Sequence, residues 1–199
     1  MSTDSERADR TTRPGKREWL VAAALELVYR NGVARTSLAD IAKAADVPVG
    51  NVYYYFKTKD DIVNAVVDAH RERLESSLAD LERRHRGPRT RLKALGALLA
   101  DQRDAVARYG CPYGTLSSEL AKQRSDGSDP LAATLLRMQL DWAEQQFRAM
   151  GRRDAADLAT ELIAAVQGSA VLSNALGRPG LMSRRARRLD RWIDALGTS

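Results

Sequence analysis

The chain has one cysteine, Cys111, and two histidines, His70 and His85, in 199 residues. A single thiol excludes an internal disulfide, and these three side chains fall short of the donor set of a structural zinc site. No metal site is expected. No stretch alternates apolar and polar residues with the period of a strand, which argues against a sheet-based fold. There is no glycine-rich phosphate loop, dinucleotide turn or metal box, so no cofactor is expected. No apolar run approaches the roughly 20 residues of a membrane span. The segment from Met1 to Lys16 is polar and has no apolar stretch of the kind a secretory signal carries. The expectation is a cytoplasmic protein with no membrane partner.

Hydrophobic residues make up 44% of the chain, enough for a buried core. The formal net charge is +6 and the pI about 9.7, a balance that attracts polyanions, nucleic acid first among them. Residues 1–15 read as a flexible arm, in which Arg7, Arg10 and Arg13 face dilution by Asp4, Glu6 and Asp9. From Lys16 onward the apolar residues recur at three and four, and the spacing predicts about nine helices. Most breaks carry a Gly or Pro: Gly32, Pro48, Gly87-Pro88, Gly110, Pro112, Gly127, Pro130, Gly151, Gly177, Pro179 and Gly180. One helix is predicted from Pro88 to Arg108, and others over 112–123, 130–150, 154–176 and 181–196. The expected class is all-α.

The most informative stretch runs from Lys16 to Ile62. Ser37 is a good N-cap for a short helix, with Asp40 at the capping-box position. The tight turn Ala44-Ala45-Asp46-Val47-Pro48 leads to a second short helix over 49–55. Two short helices joined this way make a helix-turn-helix, whose second member enters the major groove of DNA. Leu38, Ile41, Ala42, Val47, Val52 and Phe56 are expected to face inward. Val49, Gly50, Asn51, Tyr53, Tyr54 and Tyr55 are expected to face outward. A tyrosine hydroxyl can donate to a phosphate and its ring can lie on a sugar or a thymine methyl, while Asn51 can read a base edge. Lys57 and Lys59, at the start of the next helix, can clamp a phosphate.

The run T-S-L-A-D-I-A-K-A-A-D-V-P-V-G-N-V-Y-Y-Y-F-K-T-K, Thr36 to Lys59, resembles the signature of the TetR family of bacterial repressors. The preceding A-A-A-L-E-L-V-Y-R-N-G-V, Ala22 to Val33, is similar to that family's first helix. The resemblance implies a DNA-binding transcriptional regulator, not an enzyme: a homodimer released from a quasi-palindromic operator by a small-molecule effector. It implies a helix-turn-helix domain at 16–60 and a ligand-sensing and dimerisation domain at 61–199. It places DNA contacts at Ser37, Val49, Gly50, Asn51, Tyr53, Tyr54 and Lys59. One departure stands out: Asp46 occupies a turn position where the family usually has Gly. Asp is among the few residues tolerated at positive φ, so the turn is expected to survive.

In the second half, Leu158, Leu162, Ala165, Ser169 and Leu172 follow a heptad-like spacing, and Leu189, Trp192 and Ile193 form an apolar stripe. Such stripes serve either the chain's own core or a four-helix interface between two copies. The resemblance favours the interface. Arg184, Arg185, Arg187, Arg188 and Arg191 read as a solvated face. The candidate effector pocket comprises Cys111, Tyr113, Leu116, Met138, Gln139 and Trp142, an apolar set with polar anchors. Cys111 also carries an alternative reading. It opens a helix, a position that can make a thiol more reactive, and some related repressors sense electrophiles or oxidants. A cysteine enzyme is argued against by the lack of a base spaced to serve Cys111.

Overall fold

The computed structural model describes residues 15–123 and 130–197. The proposed arm at 1–15 therefore lies almost wholly outside the described residues. Ten helical elements occur among them and no strand. They are α1 (Lys16–Asn31), α2 (Leu38–Ala44), α3 (Val49–Tyr55), α4 (Lys59–Arg84), α5 (Pro88–Asp101), α6 (Arg103–Tyr109), α7 (Pro112–Gln123), α8 (Pro130–Ala149), α9 (Ala155–Leu176) and α10 (Gly180–Ala195). The all-α class is as expected. The single helix expected over 88–108 is divided at Gln102, which ends α5 and begins α6. No Gly or Pro marks that division, so the spacing of breakers does not reveal it.

The chain divides into two compact units, one ending at Val66 and the other beginning at Val67, so the boundary falls inside the continuous helix α4. In the first unit, α1 packs on α2 and α2 on α3. Its core holds Leu20, Ala24, Ile41, Ala42, Val52 and Phe56, all nearly or fully buried. Leu38 and Val47, expected inside, are half-buried. The Arg17 guanidinium lies over the Phe56 ring, 5.4 Å from its centre, and shields that corner of the core.

In the second unit α9 is the central element, packed against α6, α8 and α10, while α5 rests on α10 and α8. One core cluster joins α4, α5, α8, α9 and α10 through Leu78, Leu92, Phe147, Leu162, Val166 and Ile193. Polar ties lock the helix ends that packing alone leaves open. Arg91 donates from Nε to the His85 carbonyl at 2.9 Å, stopping the carbonyl row at the end of α4. Arg89 donates to the carbonyls of Ile193 and Leu196 and does the same for α10. The Trp142 indole donates to Glu82 Oε1 at 2.9 Å, joining α8 to α4.

The expectation about apolar runs needs correction. Helix α9, with a mean hydropathy of 1.3 over its most apolar window, is long and apolar enough by composition to cross a membrane. Its burial explains that composition without a bilayer: Leu158, Ala159, Leu162, Ile163, Val166 and Ala170 form one wall of the core. The alanines with Val171, Leu172 and Leu176 on its opposite side raise the mean further.

Candidate functional site

The helix-turn-helix is built by local chemistry. The Ser37 hydroxyl accepts from the Asp40 N–H at 3.1 Å, and the Asp40 carboxylate accepts the Ser37 N–H at 3.0 Å. This reciprocal box starts α2 where the sequence places it. The same hydroxyl donates to Asp40 Oδ2 at 2.6 Å, and these bonds hold the Asp40 carboxyl below its usual pKa. The hydroxyl proton of Ser37 is thus engaged in the free protein, and a phosphate would have to compete with Asp40 for it. A second box, Thr58 with Asp61, starts α4. The Asp61 carboxylate accepts the Thr58 N–H at 2.8 Å and is likewise held below its ordinary pKa.

Between α2 and α3 the chain turns through Asp46 at φ 54, the single non-glycine residue at positive φ among the described residues. The turn survives the replacement of Gly, as expected. Val47 N–H then bonds to the Ala42 carbonyl at 3.0 Å, and Pro48 precedes the first turn of α3.

Helix α3 has one inward anchor, Val52, which is fully buried. The rest of it points to solvent. Tyr54 is 74% exposed, Tyr53 50% and Val49 43%. Gly50 is exposed and Asn51 half-buried. The rings of Tyr54 and Tyr55 meet edge to face with centres 4.9 Å apart, so each limits the other's rotation. The two lysines that frame this face are pinned at their tips. Lys57 Nζ donates to the Tyr53 carbonyl at 2.8 Å, and Lys59 Nζ to the Ala34 carbonyl at 3.2 Å. An ammonium has three donors, so each keeps two for an outside acceptor. The seven sequence-derived contact residues thus lie on α3, at the N-cap of α2 and at the first residue of α4. Trp19 on α1, 49% exposed, was not among them. A lone tryptophan in a helix otherwise rich in Ala gives no periodic signal of its exposure.

The match to known proteins agrees with this geometry. The model for bacterial regulatory proteins of the tetR family matches residues 20–66. The uncharacterized HTH-type transcriptional regulator in the lacX 3′ region of Lactococcus lactis subsp. lactis is 31% identical over 160 residues, 78% of this chain and 82% of the relative. The chain belongs to the TetR family. It is a DNA-binding transcriptional regulator, in a family of regulators and not of enzymes. The HTH-type transcriptional repressor NemR of Escherichia coli K12 is 26% identical over 120 residues, 60% of this chain and 59% of that one. The crystal structure of a TetR transcriptional regulator from Legionella pneumophila superposes with a TM-score of 0.81 at 18% identity, covering 92% of this chain and all of that one.

The packing of the second unit of this TetR-family chain bears on two parts of the sequence reading. The first is the candidate interface. Leu158, Leu162, Ser169, Leu189 and Ile193 are buried within the single chain, so they are already spent on its own core. Ala165 and Trp192 are half-buried against that core. Of the eight, Leu172 alone is exposed, at 54%. The opposite side of α9 is the free one: Ala164, Gly168, Val171, Leu172, Ala175 and Leu176 are all exposed. A heptad spacing identifies a stripe without saying which of two partners it meets, and the core claimed it.

The second is the effector pocket. Trp142 and Gln139 are buried. Trp142 donates to Glu82, and Gln139 donates weakly to the carbonyl of Leu135 in its own helix at 3.4 Å. Leu116 is buried as well. Met138 and Tyr113 pack against the core cluster. Tyr113 stacks edge-on with His70, centres 5.5 Å apart. Burial raises its hydroxyl's pKa, and the neighbouring Cys111 adds to the rise. Of the six, Cys111 is the one that lines a cleft of about 370 Å³, formed by the start of α7 with α8 and α9. The cleft's other polar groups come from Thr115, Ser118, Gln167 and Asn174, none of which the sequence singled out. They lie on two helices, α7 and α9, and only the packing brings them together.

Proposed function

We propose that this protein is a homodimeric repressor that binds a quasi-palindromic operator through α2, α3 and the start of α4, and releases it when a small molecule occupies the second unit. The observation that carries the reading is the α3 face. A short helix anchored by buried Val52 and ending at buried Phe56 presents Tyr53 and Tyr54 to solvent, an arrangement with no use in the chain's own core. Ser37, Val49, Gly50, Asn51, Tyr53, Tyr54 and Lys59 are the proposed DNA contacts. Tyr53, Tyr54 and Lys59 would fix position on the phosphates and Asn51 would read a base. Repression is favoured by the similarity to NemR, a repressor by name. The domain reading is DNA binding in 16–60 and sensing with dimerisation in 61–199. The site of action is the cytoplasm, where the DNA is.

The proposed dimer face is the outward side of α9. Its small residues Ala164 and Gly168 allow close approach, and Val171, Leu172 and Leu176 supply apolar area. Two copies would set their α3 helices about one DNA turn apart, roughly 34–36 Å. An effector that binds better to another spacing lowers operator affinity by shifting the population of conformations.

The test is selection of bound sequences from random DNA by the purified protein, then titration on the winner. A two-fold symmetric site bound by a dimer is the expected result. Failure to enrich any sequence would overturn the reading. A second reading rests on Cys111, whose sulfur accepts the Gly114 N–H at 3.5 Å in the first turn of α7. It makes the thiol itself the sensor of electrophiles or oxidants. An operator release by such reagents that persists in Cys111→Ser would remove it.

A further inference from the structure

The cleft at the head of α7 supports a more specific statement about the effector, one that rests on the regulator reading above. Its volume, about 370 Å³, lies in the range of small-molecule sites. None of its lining residues is charged. Its walls make two close approaches at glycines. A Cβ on Gly114 would run into the Gln167 amide oxygen, and one on Gly110, at φ 85, would run into the Thr115 hydroxyl. Gln167 is therefore pressed by its oxygen side against the start of α7. Its other half is idle: Nε2 is buried and has no hydrogen-bond partner. A buried donor without a partner is rare in a folded protein and calls for an explanation. The terminal torsion of a glutamine is soft, so a small rotation turns Nε2 toward the cleft it borders.

We propose that this cleft binds an uncharged small molecule with an apolar body and a carbonyl-type acceptor, which takes the N–H of Gln167. A carboxylate placed there would lose its hydration and meet no cation in return. Leu136 and Ala170 receive the apolar body. The rim carries the signal outward. Val171, 66% exposed, and Ala175 belong both to the cleft and to the outward side of α9, so a ligand that displaces them alters the face offered to a second copy.

Cys111 is the only thiol in the chain and lies in the cleft, so it reports entry without being part of the recognition. The probes are iodoacetamide and iodoacetate, which differ in the amide and the carboxylate. In both, the Cys111 thiolate displaces iodide and a sulfur–carbon bond forms. The full-length protein should alkylate with iodoacetamide at a rate that saturates with reagent concentration. Its preference for iodoacetamide over iodoacetate should exceed that of free glutathione by about tenfold or more. Gln167→Leu and Gln167→Asn, each checked for native helix content and unfolding temperature, should bring the preference back to that of glutathione. A preference equal to glutathione's in the parent protein, or one untouched in both variants, overturns the proposal. Operator titration separates the two levels of inference. If the unlabelled protein binds a selected site and the carbamoylmethylated protein binds it equally well, the cleft is not the effector site and the regulator reading stands. If the unlabelled protein selects no site, the regulator reading itself fails. The expected outcome is selection by the first and about fivefold or greater weakening in the second.

Discussion

Tyr54 touches little of its own protein beyond the ring of Tyr55. Tyr54→Ala should therefore leave the unfolding free energy within about 0.5 kcal/mol of the parent while weakening operator binding, measured by denaturant titration beside a DNA titration. Lys59→Ala should lower the slope of log affinity against log salt by about one, since it removes one phosphate contact. Asp46 is the residue most exposed to backbone strain. At φ 54 a β-branched side chain is far less tolerated than Asp. Asp46→Val should destabilise by about 1–2 kcal/mol, whereas Asp46→Gly should leave stability level or slightly higher. His70 offers a pH signature. Burial, with a smaller contribution from Arg73, lowers its pKa from 6.5 to about 4. The unfolded chain then binds the extra proton between those values. The stability contributed by a neutral His70 is complete above about pH 6.5 and is lost as pH falls toward 4, by about 3 kcal/mol at most. Unfolding curves across that window should flatten in His70→Gln, and an unchanged slope would contradict the assignment. Much at this scale was legible in the chain itself: Ser37 with Asp40, the Asp46 turn and the tyrosines depend on neighbours within a few residues. The burial of His70 against Tyr113 was not, because the two lie far apart in sequence.

Among the elements, α9 is the one with two apolar sides, and substitutions should separate them. Leu162→Ala removes a side chain buried at the centre of the core and should cost about 2–5 kcal/mol. Leu172→Arg changes an exposed position and should leave the isolated fold intact while shifting the molecule from dimer to monomer in sedimentation. A stable dimer of Leu172→Arg would move the interface elsewhere. Helix α10 shows the opposite pattern. Its inward residues Met182, Leu189 and Ile193 are buried, and Arg184, Arg187, Arg188 and Arg191 are exposed, as a solvated face requires. Arg185 differs from these four: its Nε donates to the Ser169 hydroxyl at 2.9 Å and ties α10 to α9. Most helix limits were readable because Gly and Pro punctuate them, and the limit at 56–58 because Thr58 caps α4. The break at Gln102 was not, because nothing in its local chemistry forbids helix there. Small side chains such as Ala164 and Gly168 mark a closely approachable surface from the sequence, but that they face away from the core is visible only in the packing.

At the level of the whole molecule, the net charge of +6 favours DNA over most other partners, and operator binding should fall steeply with added salt. The affinity should also depend on protein concentration wherever the dimer dissociates, since one reading head holds only half of a symmetric site. The chain alone determined the all-helical class, the helix-turn-helix and its outward face. Each follows from periodicity, capping and turn chemistry that act over a handful of residues. Tertiary structure decided which side of α9 meets the core and which is left exposed. It also decided that Trp142 and Gln139 are buried and that Cys111, Gln167 and Asn174 border one cleft. The physical reason is the same in each case. An apolar stripe or a polar side chain has the same local sequence whether it meets its own chain, a ligand or a second copy, and only the positions of distant helices distinguish them.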